Sequence, residues 1–353
     1  MVCIAAFIIL IIVGIFVAFI SIFKPKVGKR YLKILKKSWG CVGKRVTLQK
    51  CETGFGEEVK NSLLSRVLVK KPKLVKPLSA AIEVLSILLV IVTVWSLVEG
   101  AKAGLALWSL GTCNVQRPEA CSLGAEVCSI DGDSGPQNLI ESVGYWFSDW
   151  GEIFGAIPDK FRSFNADDFD FSGITLGGEG EIKAVDIFDP GCVVCLQSFR
   201  NQLNAGYFDT DEKVLLVPFP IQDAEGKFKY TNSKLIVGYL FGAEKYDEDE
   251  NGQQVAFELI RRIYTEKDDQ HRSYQDLFND YYSVDEAEQT LQDWLREFGF
   301  SDMQIESVAS YAHSEEYDAL IAKNNDIVVN QLHAKGIPTM LYDGKKHTGR
   351  WEE

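Results

Sequence analysis

Two cysteines separated by two valines are the residues whose type and spacing point to chemistry. Cys192 and Cys195 stand in the stretch VDIFDPGCVVCLQSF, at the start of a predicted helix that follows a predicted strand. A helix N-terminus offers unpaired N–H groups and the positive end of the helix dipole, and both favour a thiolate over a thiol. Cys192 would then be an exposed nucleophile, with Cys195 one turn further on and within bonding distance. Such a pair can exchange a disulfide with another protein through a mixed disulfide.

Two other uses of this cysteine pair are a zinc half-site and a purely structural disulfide. Zinc would need a second pair of ligands at similar spacing. The chain offers Cys113, Cys121 and Cys128, spaced eight and seven apart, and four scattered histidines. A structural disulfide across a four-residue loop would stabilise the fold little through chain entropy. The pattern therefore favours redox chemistry, with no metal and no organic cofactor.

The elements around the pair form an α/β pattern. A long acidic region with helical periodicity separates the second predicted strand from the third, and no internal repeat is evident. The predicted order is a strand over 182–188, a helix over 192–203, a strand over 213–219, helices within 233–332, a strand over 338–342, a turn at 343–344 and a last strand from 346.

Two further features stand in order around the C-x-x-C pair. The segment Gly336-Ile337-Pro338-Thr339 precedes a strand and a turn, and Asp186 lies six residues before Cys192 in a V-D-[apolar]-[aromatic] strand. Together these anchors resemble the thioredoxin superfamily, and the large helical insertion resembles its DsbA-like branch. The resemblance covers about residues 180–350. It implies a thioredoxin-like domain over 181–353 with a helical insertion at about 221–333.

The resemblance also implies roles for the two thiols and for one acid. Cys192 is the attacking thiol and Cys195 the resolving thiol. Asp186 is the proton acceptor for Cys195, acting directly or through water, since a carboxyl group buried near a thiol has a shifted pKa. A carboxylate on the protein surface is the alternative for Asp186.

The remaining roles belong to the strand that begins at the proline. Pro338, in the cis form that the resemblance implies, would lie beside the cysteines and keep a backbone face open for a substrate strand. Ile337 and Thr339 on either side are the predicted substrate-binding residues. The dipeptide Val193-Val194 departs from the thioredoxin and DsbA patterns, so oxidation, reduction and isomerisation of clients all stay open.

Two apolar segments predict transmembrane helices, over 1–23 and 78–104. Residues 2–23 carry no charge, and neither do residues 84–98. Each is long enough to cross about 30 Å of hydrocarbon. The first lacks a basic start and a small-residue cleavage site, which favours a retained anchor over a removed signal peptide. A buried core helix is the alternative for the second.

The charge of −13 is divided between these segments. Residues 24–77 hold 16 Lys/Arg and 3 acidic residues, whereas residues 112–353 hold 20 basic and 45 acidic residues. The positive-inside rule places the basic loop 24–77 in the cytoplasm and everything after the second span outside. The basic loop could also bind anionic head groups of the lipid bilayer, or its charges could serve only to set the topology. Its thiols, Cys41 and Cys51, are expected to be reduced. An acidic exported domain is not expected to bind nucleic acid.

The segment between membrane and domain, 105–180, is predicted to be an extracytoplasmic linker with an aromatic amphipathic helix over 138–157. That helix could lie on the outer leaflet or, as we expect, cover the domain face where the family has a closing helix. Two of Cys113, Cys121 and Cys128 should pair in an oxidising compartment. The third could be free, link two chains, or exchange with the Cys192–Cys195 pair.

One acidic stretch matches the spacing of a calcium-binding loop. Asp247, Asp249, Asn251, Gly252 and Glu258 have the EF-hand pattern, but Gln254 stands where an aliphatic residue is usual. A solvated acidic turn is the alternative.

The sequence thus predicts an anchored α/β protein of thioredoxin-like fold, preceded by two transmembrane helices. Its predicted function is thiol–disulfide exchange with exported proteins that contain cysteines, with a membrane redox partner as a further possibility. The alternative is a thioredoxin-fold binding or chaperone module in which the cysteines do not turn over.

Overall fold

The computed structural model describes most of the 353-residue chain and divides it into two compact units, Met1–Ala101 and Lys102–Glu353. The described residues are 4, 6–11, 13, 25–46, 55–70, 72–123, 126–130, 138–178, 180–209, 212–223, 226–247 and 252–351.

Helices dominate both units, and the strands gather in the second one. The α-helices are α1 (Pro25–Val46), α2 (Phe55–Lys70), α3 (Val75–Leu110), α4 (Leu139–Gly155), α5 (Val193–Asn204), α6 (Ser233–Tyr246), α7 (Gly252–Thr265), α8 (Tyr274–Asp276), α9 (Val284–Glu297), α10 (Asp302–Ala312) and α11 (Glu315–Asp326). The strands are β1 (Cys128–Ser129), β2 (Ile174–Leu176), β3 (Ile182–Phe188), β4 (Lys213–Pro218), β5 (Gly336–Ile337), β6 (Thr339–Tyr342) and β7 (Lys345–Thr348). Turns of 3₁₀-helix lie at Pro72–Leu74, Pro118–Ala120, Pro158–Lys160 and Ala166–Asp168, and turns of π-helix at Leu277–Tyr281 and Ile327–Gln331.

A five-stranded mixed sheet forms the centre of the second unit. Its order is β2-β4-β3-β6-β7, with β3 and β4 parallel and every other neighbouring pair antiparallel. Helix α5 connects the two parallel strands, as a parallel pair requires. Both strands are buried along most of their length, which explains their continuous apolar runs. The α/β prediction is therefore confirmed.

The large insertion is helical, as predicted, and packs through small residues. Helices α6 to α11 all lie between β4 and β5. Gly238 and Gly242 on α6 allow α10 to approach closely. A Cβ on Gly238 would lie 2.7 Å from the Cβ of Ala312, and one on Gly242 would lie 2.8 Å from Cγ1 of Val308. Larger residues at these positions would force the two helices apart.

Among the described residues, one helix, α3, is long and apolar enough to cross a membrane. It has 36 residues, and only 11% of its most apolar window is buried. The prediction ended this helix at residue 104, but it continues to Leu110. The extra residues form a small core, because Ala106 and Leu110 pack with Val115 and Ile153. The other predicted span, 1–23, lies mostly outside the described residues.

The amphipathic helix α4 is partly exposed and contacts both the end of α3 and the domain, where Glu152 forms an ion pair with Lys335 at 2.6 Å. Its Ile153 is fully buried against the end of α3, but Leu139 and Ile140 are 82% and 85% exposed. A partly buried ion pair between Lys102 and Asp149, 2.9 Å apart, fixes this attachment. That this helix covers the domain face stays a prediction, since its contacts lie toward its C-terminal end.

Two other expectations involve segments that the structure describes only in part. Cys41 is buried and disulfide-bonded, whereas a cytoplasmic loop predicted a reduced thiol. In the calcium-like stretch, residues 248–251 lie outside the described residues, and Glu258 forms an ion pair with Arg261 at 2.6 Å. Among the described residues, no three acidic, His or Cys side chains form a group that could hold a metal ion.

Candidate disulfide-exchange site

Cys192 occupies the N-terminal cap of α5, where its sulfur accepts a hydrogen bond from the backbone N–H of Cys195 at 3.3 Å. The preceding turn is tight, because Cys192 N donates to the Asp189 carbonyl at 3.0 Å. A Cβ on Gly191 would lie 2.4 Å from Cγ of Tyr230, so only glycine fits there. The strand, turn and helix therefore place this sulfur at the end of the sheet, as the sequence predicted.

The disulfide of Cys192 joins it to a linker cysteine and not to Cys195. Cys192 is bonded to Cys128, with 6.1 Å between the two Cα atoms, and Cys195 keeps a free, buried thiol. Cys113 pairs with Cys121. Cys192 is also fully buried instead of exposed, because the segment around Cys128 lies over it. Of the alternatives for the third linker cysteine, the structure shows a bond to the C-x-x-C pair.

Strand β5, which ends just before the proline, pairs with the segment that contains Cys128. The Ile337–Pro338 peptide bond is cis. Strand β1 pairs antiparallel with β5, which sets Cys128 opposite Ile337. The carbonyl oxygen of Ile337 lies 3.8 Å from the sulfur of Cys192. Pro338 and Ile337 therefore adjoin the bonded sulfurs.

Thr339, the other residue predicted to bind substrate, faces the protein interior. It is fully buried, and its Oγ1 donates to the Gly336 carbonyl at 2.7 Å. In the sheet it lies between Ile187 and Thr348. Its hydroxyl group thus stabilises the bend at the proline, and substrate binding by this side chain stays a prediction.

Asp186 is buried in β3, where sequence reasoning placed it. Its Oδ2 accepts a hydrogen bond from Nε2 of Gln202 on α5 at 2.8 Å. Its Oδ1 has no hydrogen-bond partner among the described residues. Burial raises the pKa of Asp186 to about 6, although the bond from Gln202 acts in the opposite direction. One oxygen of this carboxyl group is therefore able to accept a proton.

A second buried acid, Asp189, was not predicted. Its Oδ1 accepts hydrogen bonds from Gly191 N at 2.7 Å and from Ser233 Oγ, and its Oδ2 accepts one from Ile221 N at 2.7 Å. Burial raises its pKa to about 6 against the effect of these donors. The sequence Asp-Pro-Gly after a strand is a turn signal that could have identified it.

Both acids act on the free thiol of Cys195. Burial raises the pKa of this thiol well above its ordinary value, and the charges of Asp189 and Asp186 raise it further. A hydrogen bond with the Asp189 backbone acts in the opposite direction. Cys195 is therefore a thiol at neutral pH, and it needs a proton acceptor before it can attack a disulfide.

Three side chains from the helical insertion hold the turn before Cys192. Gln275 Nε2 donates to the Cys192 carbonyl at 3.1 Å, and Asn279 Nδ2 donates to the Gly191 carbonyl at 2.9 Å. Tyr264 donates its hydroxyl to the Asp189 carbonyl at 2.8 Å. Sequence reasoning missed all three, because they lie more than 70 residues from the turn and have no local signature.

A cavity of about 660 Å³ lies elsewhere on the domain and includes neither cysteine of the pair. Its walls include Tyr207, Asp343 and Trp351. Cys192 itself is fully buried and bonded to Cys128.

No family model matches this chain, and no curated protein sequence matches it. Solved structures similar to it include the thiol–disulfide exchange protein alpha-DsbA2 from Wolbachia pipientis, at 14% identity and a TM-score of 0.36, covering 52% of this chain and 82% of that one. A thioredoxin-like oxidoreductase from Silicibacter pomeroyi DSS-3 has 16% identity and a TM-score of 0.37, with coverages of 54% and 91%. MdbA, a thiol–disulfide oxidoreductase from Corynebacterium diphtheriae, has 13% identity and a TM-score of 0.35, with coverages of 51% and 91%. Each of these similarities has an identity of 16% or less and a TM-score below 0.5.

Proposed function

We propose that this chain is a membrane-anchored thiol–disulfide oxidoreductase that exchanges disulfides with exported, cysteine-containing proteins through Cys192 and Cys195. One observation carries the proposal. The sulfur of Cys192, at the start of a helix, is bonded to a cysteine on a strand that pairs with Gly336–Ile337, and the Cys195 thiol follows one turn later. A client held by strand pairing would place its own cysteine in the same position.

The exchange needs no oxidant at the site itself. In oxidation, a client thiolate attacks Cys192 of a Cys192–Cys195 disulfide, and Cys195 leaves as a thiolate. A second client thiolate then attacks the client sulfur of the mixed disulfide, and Cys192 leaves. The client gains a disulfide, and the pair becomes a dithiol, which a membrane redox partner would reoxidise. In reduction the same steps run backwards, and Asp186 Oδ1 takes the proton of Cys195 before it attacks.

The anchor of this domain would be α3. Its large apolar side chains are exposed over several turns, which is expected of a helix surrounded by lipid. They include Val84, Leu85, Ile87, Leu88, Ile91, Val92, Val94, Trp95 and Leu97. The basic residues of 24–77 would hold that segment in the cytoplasm and place residues 102–353 outside. The disulfide at Cys41 disagrees with this sidedness, which therefore needs a direct test.

A trapping experiment tests the enzymatic proposal. The variant carrying Cys128→Ser and Cys195→Ala has a free Cys192 and no resolving thiol, so it should accumulate mixed disulfides with clients. These would be detected as reducible high-mass adducts of the full-length chain. The matched control adds Cys192→Ser and should form none. If neither variant forms adducts and Cys128→Ser does not oxidise a dithiol peptide, the binding-module alternative replaces the enzyme.

A labelling experiment tests the proposed sidedness. Lys36 on α1 and Lys345 on β7 are both exposed, so a cysteine at either position should be accessible. In intact cells a membrane-impermeant maleimide should label Lys345→Cys and should label Lys36→Cys only after permeabilisation. Labelling of Lys36→Cys in intact cells would place the basic segment outside, in agreement with the disulfide at Cys41.

A further inference from the structure

We propose that Cys128 is a third redox-active cysteine, and that residues 126–130 form a client strand built into the chain. This inference rests on the proposed exchange at Cys192 and Cys195. It assigns to the linker a chemical step in which the disulfide of Cys192 moves between Cys128 and Cys195.

The pairing of β1 with β5 is the first observation behind this proposal. Cys128 lies opposite Ile337 and Ser129 opposite Gly336, in antiparallel register. The ladder continues for one more residue, since Ile130 N donates to the Lys335 carbonyl at 3.2 Å. A client strand could use the same edge, because main-chain pairing depends little on side chains. The internal strand therefore occupies the site that the proposed function needs for clients.

Side chains from distant parts of the domain hold this strand in place. Glu119 Oε2 accepts hydrogen bonds from Ser129 N at 3.1 Å and from Lys229 Nζ at 3.3 Å. At the other end, Arg350 forms an ion pair with Glu126 at 3.0 Å. These contacts hold the strand against the domain whether or not the disulfide is present.

The close contact between Gly336 and Val127 shows that the β5 edge is complementary in shape to this segment. A Cβ on Gly336 would lie 2.6 Å from Cγ2 of Val127, so a larger residue there would collide with the strand. Val127 itself is buried. Removing the strand would expose both the β5 edge and the sulfur of Cys192.

The exchange step is balanced within the chain. Asp186 takes the proton of Cys195, and the resulting thiolate attacks the sulfur of Cys192. A Cys192–Cys195 bond forms and the Cys128–Cys192 bond breaks, so Cys128 leaves as a thiolate and takes up a proton. One disulfide is present before the step and one after it, and no oxidant is consumed. The closed form, bonded through Cys128, thus converts into an open form that can accept a client.

Competition by the internal strand should slow exchange with clients. Cys128 belongs to the same chain as Cys192, 64 residues away, and a tethered group can reach an effective concentration of about a millimolar. Against a two-cysteine peptide at about 0.1 mM, the internal cysteine should therefore lower the oxidation rate about tenfold. Replacing Cys128 should therefore raise the oxidation rate about tenfold.

The test uses the oxidised full-length chain, with disulfides mapped by non-reducing mass spectrometry after alkylation. We expect Cys128–Cys192 with an alkylated Cys195 in the wild type, and Cys192–Cys195 in Cys128→Ser. The initial rate of peptide oxidation should be about tenfold higher in Cys128→Ser. The control variant with Cys113→Ser and Cys121→Ser loses the neighbouring disulfide and should keep both the wild-type rate and the Cys128–Cys192 bond.

A second variant, Val127→Asp, retains every cysteine and leaves the β5 edge unchanged. A charge in place of a buried valine should loosen the strand, so the bond should move to Cys192–Cys195 and the rate should rise. The inference is overturned if the wild type contains only Cys192–Cys195, or if the rate in Cys128→Ser stays within twofold of the wild type. It fails together with the proposed function only if Cys128→Ser is as inactive as Cys192→Ser.

Discussion

Asp186 and Asp189 lie three residues apart at the end of β3, both buried beside the Cys195 thiol, but their carboxyl groups have different surroundings. Asp189 accepts three hydrogen bonds, from Gly191, Ile221 and Ser233, so both of its oxygens are occupied. Asp186 accepts one, from Gln202, and its Oδ1 has no partner among the described side chains and backbone groups. Burial raises the pKa of each to about 6.

This difference separates a proton acceptor from a positioning residue. A carboxyl group with an unoccupied oxygen can take a proton without breaking any existing contact, and Asp186 is in that state. Protonation of Asp189 would disturb the hydrogen bonds that fix the turn leading to Cys192. We therefore propose that Asp186 handles the proton of Cys195 and that Asp189 holds the turn.

The largest expected effect is the pH dependence of stability caused by Asp186. Its pKa is about 6 when folded and 3.8 ordinarily, so the folded chain binds more protons between these values. Its favourable contribution is complete below pH 3.8 and is lost as the pH rises through about 6, a loss of about 3 kcal/mol. Asp186→Asn should remove this loss in urea unfolding curves measured from pH 4 to 7. Parallel pH profiles for the variant and the wild type would contradict the prediction.

The next effect is a stability difference between the two asparagine variants at pH 7. In Asp189→Asn, an amide nitrogen replaces an oxygen that accepts from a backbone N–H and leaves that donor unpaired. In Asp186→Asn, the nitrogen can take the place of the unoccupied Oδ1. We expect Asp189→Asn to have a free energy of unfolding about 2 kcal/mol below that of Asp186→Asn. Equal values in urea titrations would show that the two carboxyl groups are interchangeable.

The smallest effect concerns the reactivity of the Cys195 thiol. Because the charge of Asp186 raises the pKa of Cys195, Asp186→Asn should increase its thiolate fraction. Alkylation of Cys195 by iodoacetamide at pH 8 should therefore become faster, because the thiolate is the reactive form. Asp170→Asn changes an exposed carboxyl group and serves as the control. An unchanged rate in Asp186→Asn would argue against electrostatic contact between these two groups.

Local patterns in the sequence were sufficient to place the main elements of this site. The strand predicted over 182–188 has those limits in the structure, and the cysteine pair begins the helix that follows. Both positions depend on contiguous residues, namely a buried apolar run and a turn that ends in glycine. The helical character of the insertion could also be predicted, because apolar residues recur in it at three- and four-residue steps.

The sequence left open which cysteine Cys128 would bond to and which surface α4 would contact. Each depends on which distant surface a segment reaches, and sequence spacing does not carry that information. Cys128 reaches Cys192 because β1 pairs with β5, across more than 200 residues of chain. Helix α4 packs on the end of α3 through Ile153 and also reaches the domain, where Glu152 forms an ion pair with Lys335.

The sequence by itself determined the chemistry that is available: two thiols at the start of a helix, an acid on the preceding strand and a proline before the next. These features follow from local spacing, which the backbone periodicity converts directly into position. Only the tertiary structure decided which thiols are bonded, which acid has an unoccupied oxygen and which side chains hold the turn. Those outcomes depend on contacts between residues far apart in the chain, and such contacts arise only when the packed core brings those segments together.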